Sequence, residues 1–132
     1  MRIIADTNVL LRAVLGDDAE QSRVARFVLS SAEQVFLGRH ALCEMIWVLS
    51  RTYKLPKDEI SRAVVGLIDA ENVVTDSGAI EAGFKAMDSG ADFADGVIDY
   101  EGRWLGGETF VSFDKKAVAA VLKQGMKAEL LG

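Results

Sequence analysis

Short, wholly apolar runs alternate along the chain with longer stretches whose apolar positions recur at helical spacing. Ile3 to Ala5 predicts a short buried strand. Thr7 to Leu15 follows as a helix stopped by Gly16, the residue type best suited to leave a helix in a left-handed turn. Glu20 to Ser31 places Val24, Phe27 and Val28 on one helical face. Val35 to Leu37 predicts a strand ended by Gly38, and His40 to Tyr53 an almost wholly apolar helix. Pro56 suits the first turn of the next helix, which repeats Ile60, Val64, Leu67 and Ile68. Asn72 to Thr75 predicts a strand. Asp76 opens a helix bearing Ile80, Phe84 and Met87 that ends near Ser89-Gly90. Asp92 to Leu105 is a helix closed by Gly106-Gly107, and Thr109 to Phe113 a buried strand. Lys115 to Lys123 is a helix ending near Gly125, and Lys127 to Leu131 a last strand.

Strands alternating with helices indicate an α/β fold with a parallel sheet. Right-handed crossovers then place helices on both faces, in three α/β/α layers. Sites in such sheets form beyond the carboxyl ends of the strands. Asp6 directly follows the first strand and Asp114 the strand Thr109 to Phe113, so both fall where this architecture builds a site.

The length of 132 residues fits a single domain, 1–132, with one core. With one proline and no low-complexity tract, nothing suggests a linker. Cys43 is the sole cysteine, which excludes an intrachain disulfide and favours a reducing compartment. The apolar start Ile3-Ile4-Ala5 is broken by Asp6 before it forms a targeting segment, and no run approaches a membrane span. The expectation is a soluble cytoplasmic protein. A net charge of −5 counts against nonspecific coating of nucleic acid. It leaves room for a nuclease whose acidic pocket is offset by metal ions, with Arg39, Arg103, Lys115 and Lys116 as candidate phosphate-holding cations.

Asp6, Glu44, Asp95 and Asp114 each sit in or beside an apolar segment, where a lone carboxylate is costly to ionise. Several brought together repel one another and invite a hard divalent cation with oxygen ligands. Each has a plainer explanation. Asp6, Thr7 and Asn8 stand at a strand-to-helix junction, where all three residue types cap well. Asp92 and Asp95 have the spacing of a capping box, and Asp95 also gains from the helix dipole. Either Ser112 or Asp114 caps the helix that follows them. Glu44 is different, because it lies inside a helix and capping does not account for it. Leu42, Met45, Ile46, Trp47, Val48 and Leu49 leave it little polar face, which points to a buried, liganded carboxylate. The alternative is a narrow solvent stripe shared with His40, Arg51 or Lys54.

His40 is the only histidine, so a multi-histidine zinc site is excluded. Cys43 reads as a small core residue. No nucleophile elbow, Gly-x-Gly-x-x-Gly or phosphate-loop lysine motif is present. Asp99 lies one turn beyond Asp95, bordering the site or meeting solvent.

Taken in order, Ile4-Ala5-Asp6-Thr7-Asn8-Val9-Leu10, the Glu44 helix, Gly90-Ala91-Asp92-Phe93-Ala94-Asp95 and Thr109-Phe110-Val111-Ser112-Phe113-Asp114-Lys115 resemble a PIN domain, most closely the VapC-type ribonuclease toxins of type II toxin–antitoxin pairs. The resemblance covers essentially the whole chain. It implies a central five-stranded parallel sheet in the order 3-2-1-4-5. It further implies an acidic quartet of Asp6, Glu44, Asp95 and Asp114 that binds Mg²⁺ or Mn²⁺, with Asp92 as an auxiliary acid. Thr7, Asn8 and Ser112 would orient the carboxylates or a water on the metal. Lys115, Lys116 or Arg39 would grip flanking phosphates. The implied reaction is metal-dependent hydrolysis of an RNA phosphodiester, of tRNA or rRNA, without a covalent enzyme intermediate. The implied partners are a cognate antitoxin and a second copy in a homodimer. Two departures stand out: Gly96 replaces the usual alanine after the third acid, and Asp99-Tyr100-Glu101 falls where small or apolar residues are common. A DNase or other metal-dependent phosphoesterase on the same scaffold, and a noncatalytic RNA- or protein-binding module, are the alternatives.

Overall fold

The computed structural model describes residues 1–132. Along the chain run β1 (Arg2–Ile4), α1 (Thr7–Leu15), α2 (Ala19–Ser31), β2 (Gln34–Phe36), α3 (Arg39–Arg51), α4 (Lys57–Ile68), β3 (Val73–Val74), α5 (Ser77–Asp88), α6 (Phe93–Trp104), β4 (Phe110–Ser112), α7 (Lys115–Lys123) and β5 (Ala128–Leu130). Every element expected from the hydrophobic pattern is present, with boundaries moved by at most two residues. Caps account for several of these shifts. Asp76 and Asp92 precede α5 and α6 as N-caps, and Pro56 is the N-cap of α4. The α3 helix stops at Arg51 because Lys54 takes a left-handed φ of 53°, which turns the chain out of the helical path.

The chain forms two compact units, residues 1–75 and 76–132. In the first, β1, β2 and β3 make a parallel sheet in that order, with Ile3 opposite Val35 and Val35 opposite Val73. Leu10, Val35, Leu42, Met45, Leu49, Ile60 and Val64 are fully buried and form its core. Helix α1 packs against α2 and α3. Asn72 ties the end of α2 to the sheet, its Nδ2 donating to the carbonyls of Leu29 at 2.8 Å and Ala32 at 3.0 Å. Arg12 and Tyr53 both hold Asp17 in the α1–α2 turn, at 3.1 and 3.2 Å.

In the second unit α5 and α6 form a tight antiparallel pair, and β4 and β5 pair in parallel through α7. The reversal between α5 and α6 runs through Gly90 at φ 93°, after which the Ala91 N–H returns to the Ala86 carbonyl at 2.9 Å. The two helices touch closely at Gly83, which lies beneath the Phe93 ring, and at Gly96, which lies against the Ala82 carbonyl. Phe93 also meets Phe84 edge to face, with centroids 5.5 Å apart.

One expectation is corrected. The strands pair as two parallel ladders, β1-β2-β3 and β4-β5, rather than as one five-stranded sheet. Strand β1 is three residues long and pairs with β2, and Ile4 is 87% exposed. Each ladder joins strands from one contiguous stretch of chain.

Candidate active site

The end of β4 builds the first part of the site. Asp114 is the N-cap of α7, its Oδ1 accepting from the backbone N–H of Lys116 at 2.9 Å and of Ala117 at 3.3 Å. Its own N–H donates to the Ser112 hydroxyl at 3.0 Å. The choice between Ser112 and Asp114 as cap is thereby resolved for Asp114, with Ser112 orienting it from two residues upstream.

The start of α6 builds the second part. Asp92 and Asp95 form a capping box, in which the Asp95 carboxylate accepts from the Asp92 N–H at 3.1 Å. Asp95 is half-buried and lines a cavity of about 360 Å³ together with Asp99, Tyr100, Arg103, Trp104 and Gln124. Burial raises the Asp95 carboxyl above its ordinary value. The hydrogen bond from Asp92 opposes that shift, and the Asp92 and Asp114 carboxylates reinforce it. The Asp95 carboxyl is therefore within electrostatic reach of both Asp92 and Asp114.

Asp6 and Glu44 belong to the first unit. Asp6 is exposed and is the N-cap of α1, accepting from the Thr7 N–H at 2.8 Å. Asn8 is exposed and Thr7 half-buried in the first turn of the same helix. Glu44 corrects the expectation of a buried carboxylate. It lies on the solvent face of α3, its side chain 53% exposed and its carboxylate 2.8 Å from His40 Nε2. Spacing explains this: His40, Glu44, Trp47 and Arg51 share one stripe of the helix, and all four are exposed. Trp47 and Trp104 are 57% and 75% exposed. Cys43 is half-buried rather than a core residue.

Among the cations, Lys115 and Lys116 are exposed at the start of α7, and Arg39 is half-buried at the start of α3. Arg103 is not a free phosphate ligand. Its Nε donates to both Asp99 oxygens at 3.0 Å, and its terminal nitrogens donate to the carbonyls of Glu108 at 2.7 Å and Lys127 at 3.0 Å. Asp99 is thus held by Arg103, its side chain 14% exposed, and it borders the cavity that Asp95 also lines. Sequence reasoning did not identify this clamp. The Asp99–Arg103 pair was visible as an i,i+4 spacing, but its two carbonyl partners were not.

The sequence model of the PIN domain family matches residues 3–98, a span that includes Asp6, Glu44, Asp92 and Asp95. The chain belongs to the PIN-domain family. No curated protein matches it. PIN domains are generally nucleases that use divalent metal ions, and the α/β architecture with parallel sheets agrees with that fold. No helix of this PIN domain is long and apolar enough to cross a membrane.

The donor chemistry of the second unit fits a divalent cation. Its acids offer only hard carboxylate oxygens, and the Asp95 proton is held more tightly because the group is partly buried, with Asp92 and Asp114 adding to the effect. A cation in that position would relieve the repulsion. No group of three or more Asp, Glu, His or Cys side chains is drawn together closely enough to hold a metal as it stands.

Proposed function

We propose that this PIN domain is a metal-dependent endoribonuclease and the toxin of a VapBC-type toxin–antitoxin pair. The observation that carries the reading is the match of residues 3–98 to a nuclease family, in a chain that places Asp92 and Asp95 at the start of α6 and Asp114 directly after β4. Asp6, Asp95 and Asp114, with Glu44, would hold Mg²⁺ or Mn²⁺. The bound ion supplies Lewis acidity toward a phosphodiester and toward the attacking water. The chain's own contribution is positioning. The N-cap bonds of Asp6 and Asp114 and the capping box of Asp95 fix one face of each carboxylate on a helix start. Ser112 fixes the Asp114 backbone. Thr7 and Asn8 offer polar groups beside Asp6, and Lys115, Lys116 and Arg39 offer positive charge for flanking phosphates. The ribonuclease reading carries with it an antitoxin that covers the acids, a homodimer and a cytoplasmic setting.

Cleavage of total cellular RNA by antitoxin-free protein tests the proposal, with Mg²⁺, with Mn²⁺ and with chelator, beside Asp6→Asn. Metal-dependent cutting lost in the variant is expected. Cutting of DNA but not RNA would favour the phosphoesterase alternative. Identical behaviour of wild type and variant would favour a noncatalytic binding module.

A further inference from the structure

The acidic stretch Asp99-Tyr100-Glu101 and the arginine that follows it are unused by the proposed chemistry, yet the Arg103 side chain donates to one carboxylate and two backbone carbonyls. The Arg103 and Asp99 side chains are 23% and 14% exposed. All three guanidinium nitrogens are engaged: Nε on Asp99, and the terminal pair on the Glu108 and Lys127 carbonyls. Glu108 lies in the segment leading into β4, and Lys127 directly precedes β5. The Lys127 carbonyl also accepts from the Phe110 N–H at 3.0 Å, so the guanidinium caps the point where the two strands begin to pair. One planar group thus ties the carboxyl end of α6 to the amino ends of β4 and β5. Asp92 and Asp95 lie at the other end of α6, and Asp114 lies just past the other end of β4.

We infer that Arg103 is a positioning residue of the acidic site. By locking α6 against the β4–β5 ladder, it sets the separation between Asp92–Asp95 and Asp114. The inference rests on the metal-dependent reading of those acids. Partners that orient metal-binding groups matter because ligation tolerates little displacement, and losing one typically weakens affinity roughly 10–100-fold. Lysine does not substitute for this geometry. An ammonium is a point charge, while the guanidinium is a fixed fork that spans a carboxylate and two carbonyls at once.

The test is calorimetric titration of the full chain with Mn²⁺, at a temperature where circular dichroism shows every variant folded. Arg103→Lys keeps the positive charge, so a change in affinity reports geometry. Asp99→Glu keeps the negative charge and lengthens the clamp by one methylene. Val118→Ala, at a buried position of α7, is the control for general loss of packing. Arg103→Lys is expected to lose Mn²⁺ affinity by roughly tenfold or more. Asp99→Glu should weaken it as well, and Val118→Ala should bind like wild type. Wild-type affinity in Arg103→Lys, or an equal loss in Val118→Ala, overturns the inference alone. Should Arg103→Lys fail to fold, Asp99→Glu decides on the same criterion. Wild-type protein that binds no Mn²⁺ overturns both the inference and the nuclease reading.

Discussion

Replacing Gly96 by alanine sets two known effects against each other in one helix turn beside Asp95. Alanine is the better helix former by about 1 kcal/mol in a helix interior. Against this stands the packing of α6 on α5. A Cβ at residue 96 would run into the Ala82 backbone carbonyl and would sit 2.9 Å from the Ala86 Cβ. The first obstacle is backbone, so no side-chain rotation relieves it and the two helices must separate. Overpacking of this kind costs about 1–3 kcal/mol, occasionally more. The collision outweighs the propensity, and Gly96→Ala is expected to destabilise the protein by about 1–2 kcal/mol. For a chain of this length that corresponds to a fall in melting temperature of roughly 4 °C per kcal/mol. Thermal melts and urea denaturation with an unchanged m-value would measure it. A variant as stable as wild type or more stable would refute the close approach of α5 and α6. It would also show that the alanine usual at this position in the family is compatible with this helix pair.

Two further predictions bear on the acids. The Asp95 carboxyl is raised in the folded state, so the folded protein holds its proton more tightly than the unfolded chain does. Stability is therefore lost as pH rises from the ordinary value of 3.8 through the raised one, and the loss is complete at neutral pH. In the presence of chelator, Asp95→Asn should melt above wild type at pH 7, and the advantage should shrink below pH 3.8; an advantage that is the same at both pH values would contradict the shift. At Asp114, alanine removes the acceptor for two backbone N–H groups and should cost about 1 kcal/mol in denaturant unfolding, while asparagine keeps the cap. Both substitutions should abolish RNA cleavage, and activity that survives in Asp114→Asn would remove Asp114 from the active set.

Much of the fold was legible because its signals are local. The seven helices and five strands follow from apolar spacing and from the residues that interrupt it, and Gly16, Gly90 and Gly125 take the left-handed conformations that end their helices. What was not legible depended on partners distant in sequence. Nothing in Asp99-Tyr100-Glu101 announces that Arg103 will reach the carbonyls of Glu108 and Lys127. The role of Gly96 appears only once Ala82 lies across from it. Glu44 is a different case, since the information was present but weighted wrongly. Counting its apolar neighbours suggests burial, whereas the spacing of His40, Glu44, Trp47 and Arg51 places all four on the exposed stripe of α3.

Capping and metal binding are not competing explanations for Asp6, Asp95 and Asp114. Five of the seven helices start behind an aspartate, namely Asp6, Asp18, Asp76, Asp92 and Asp114, so capping alone does not single out the acids of the site. What separates them is their surroundings. Asp18 caps α2 by accepting from the Gln21 N–H at 3.0 Å, whereas Asp95 is half-buried and feels both Asp92 and Asp114. An ionised carboxylate has about four acceptor sites, and a backbone N–H occupies one of them. The cap then fixes the orientation of the group and leaves the remaining lone pairs directed away from the helix start. A helix N-terminus also favours negative charge, which lowers the cost of holding an ionised acid near others. The strand-to-helix junction thus lets one residue perform two tasks: it supplies the first side-chain partner of the helix, and under the proposed function it would present an oriented oxygen ligand.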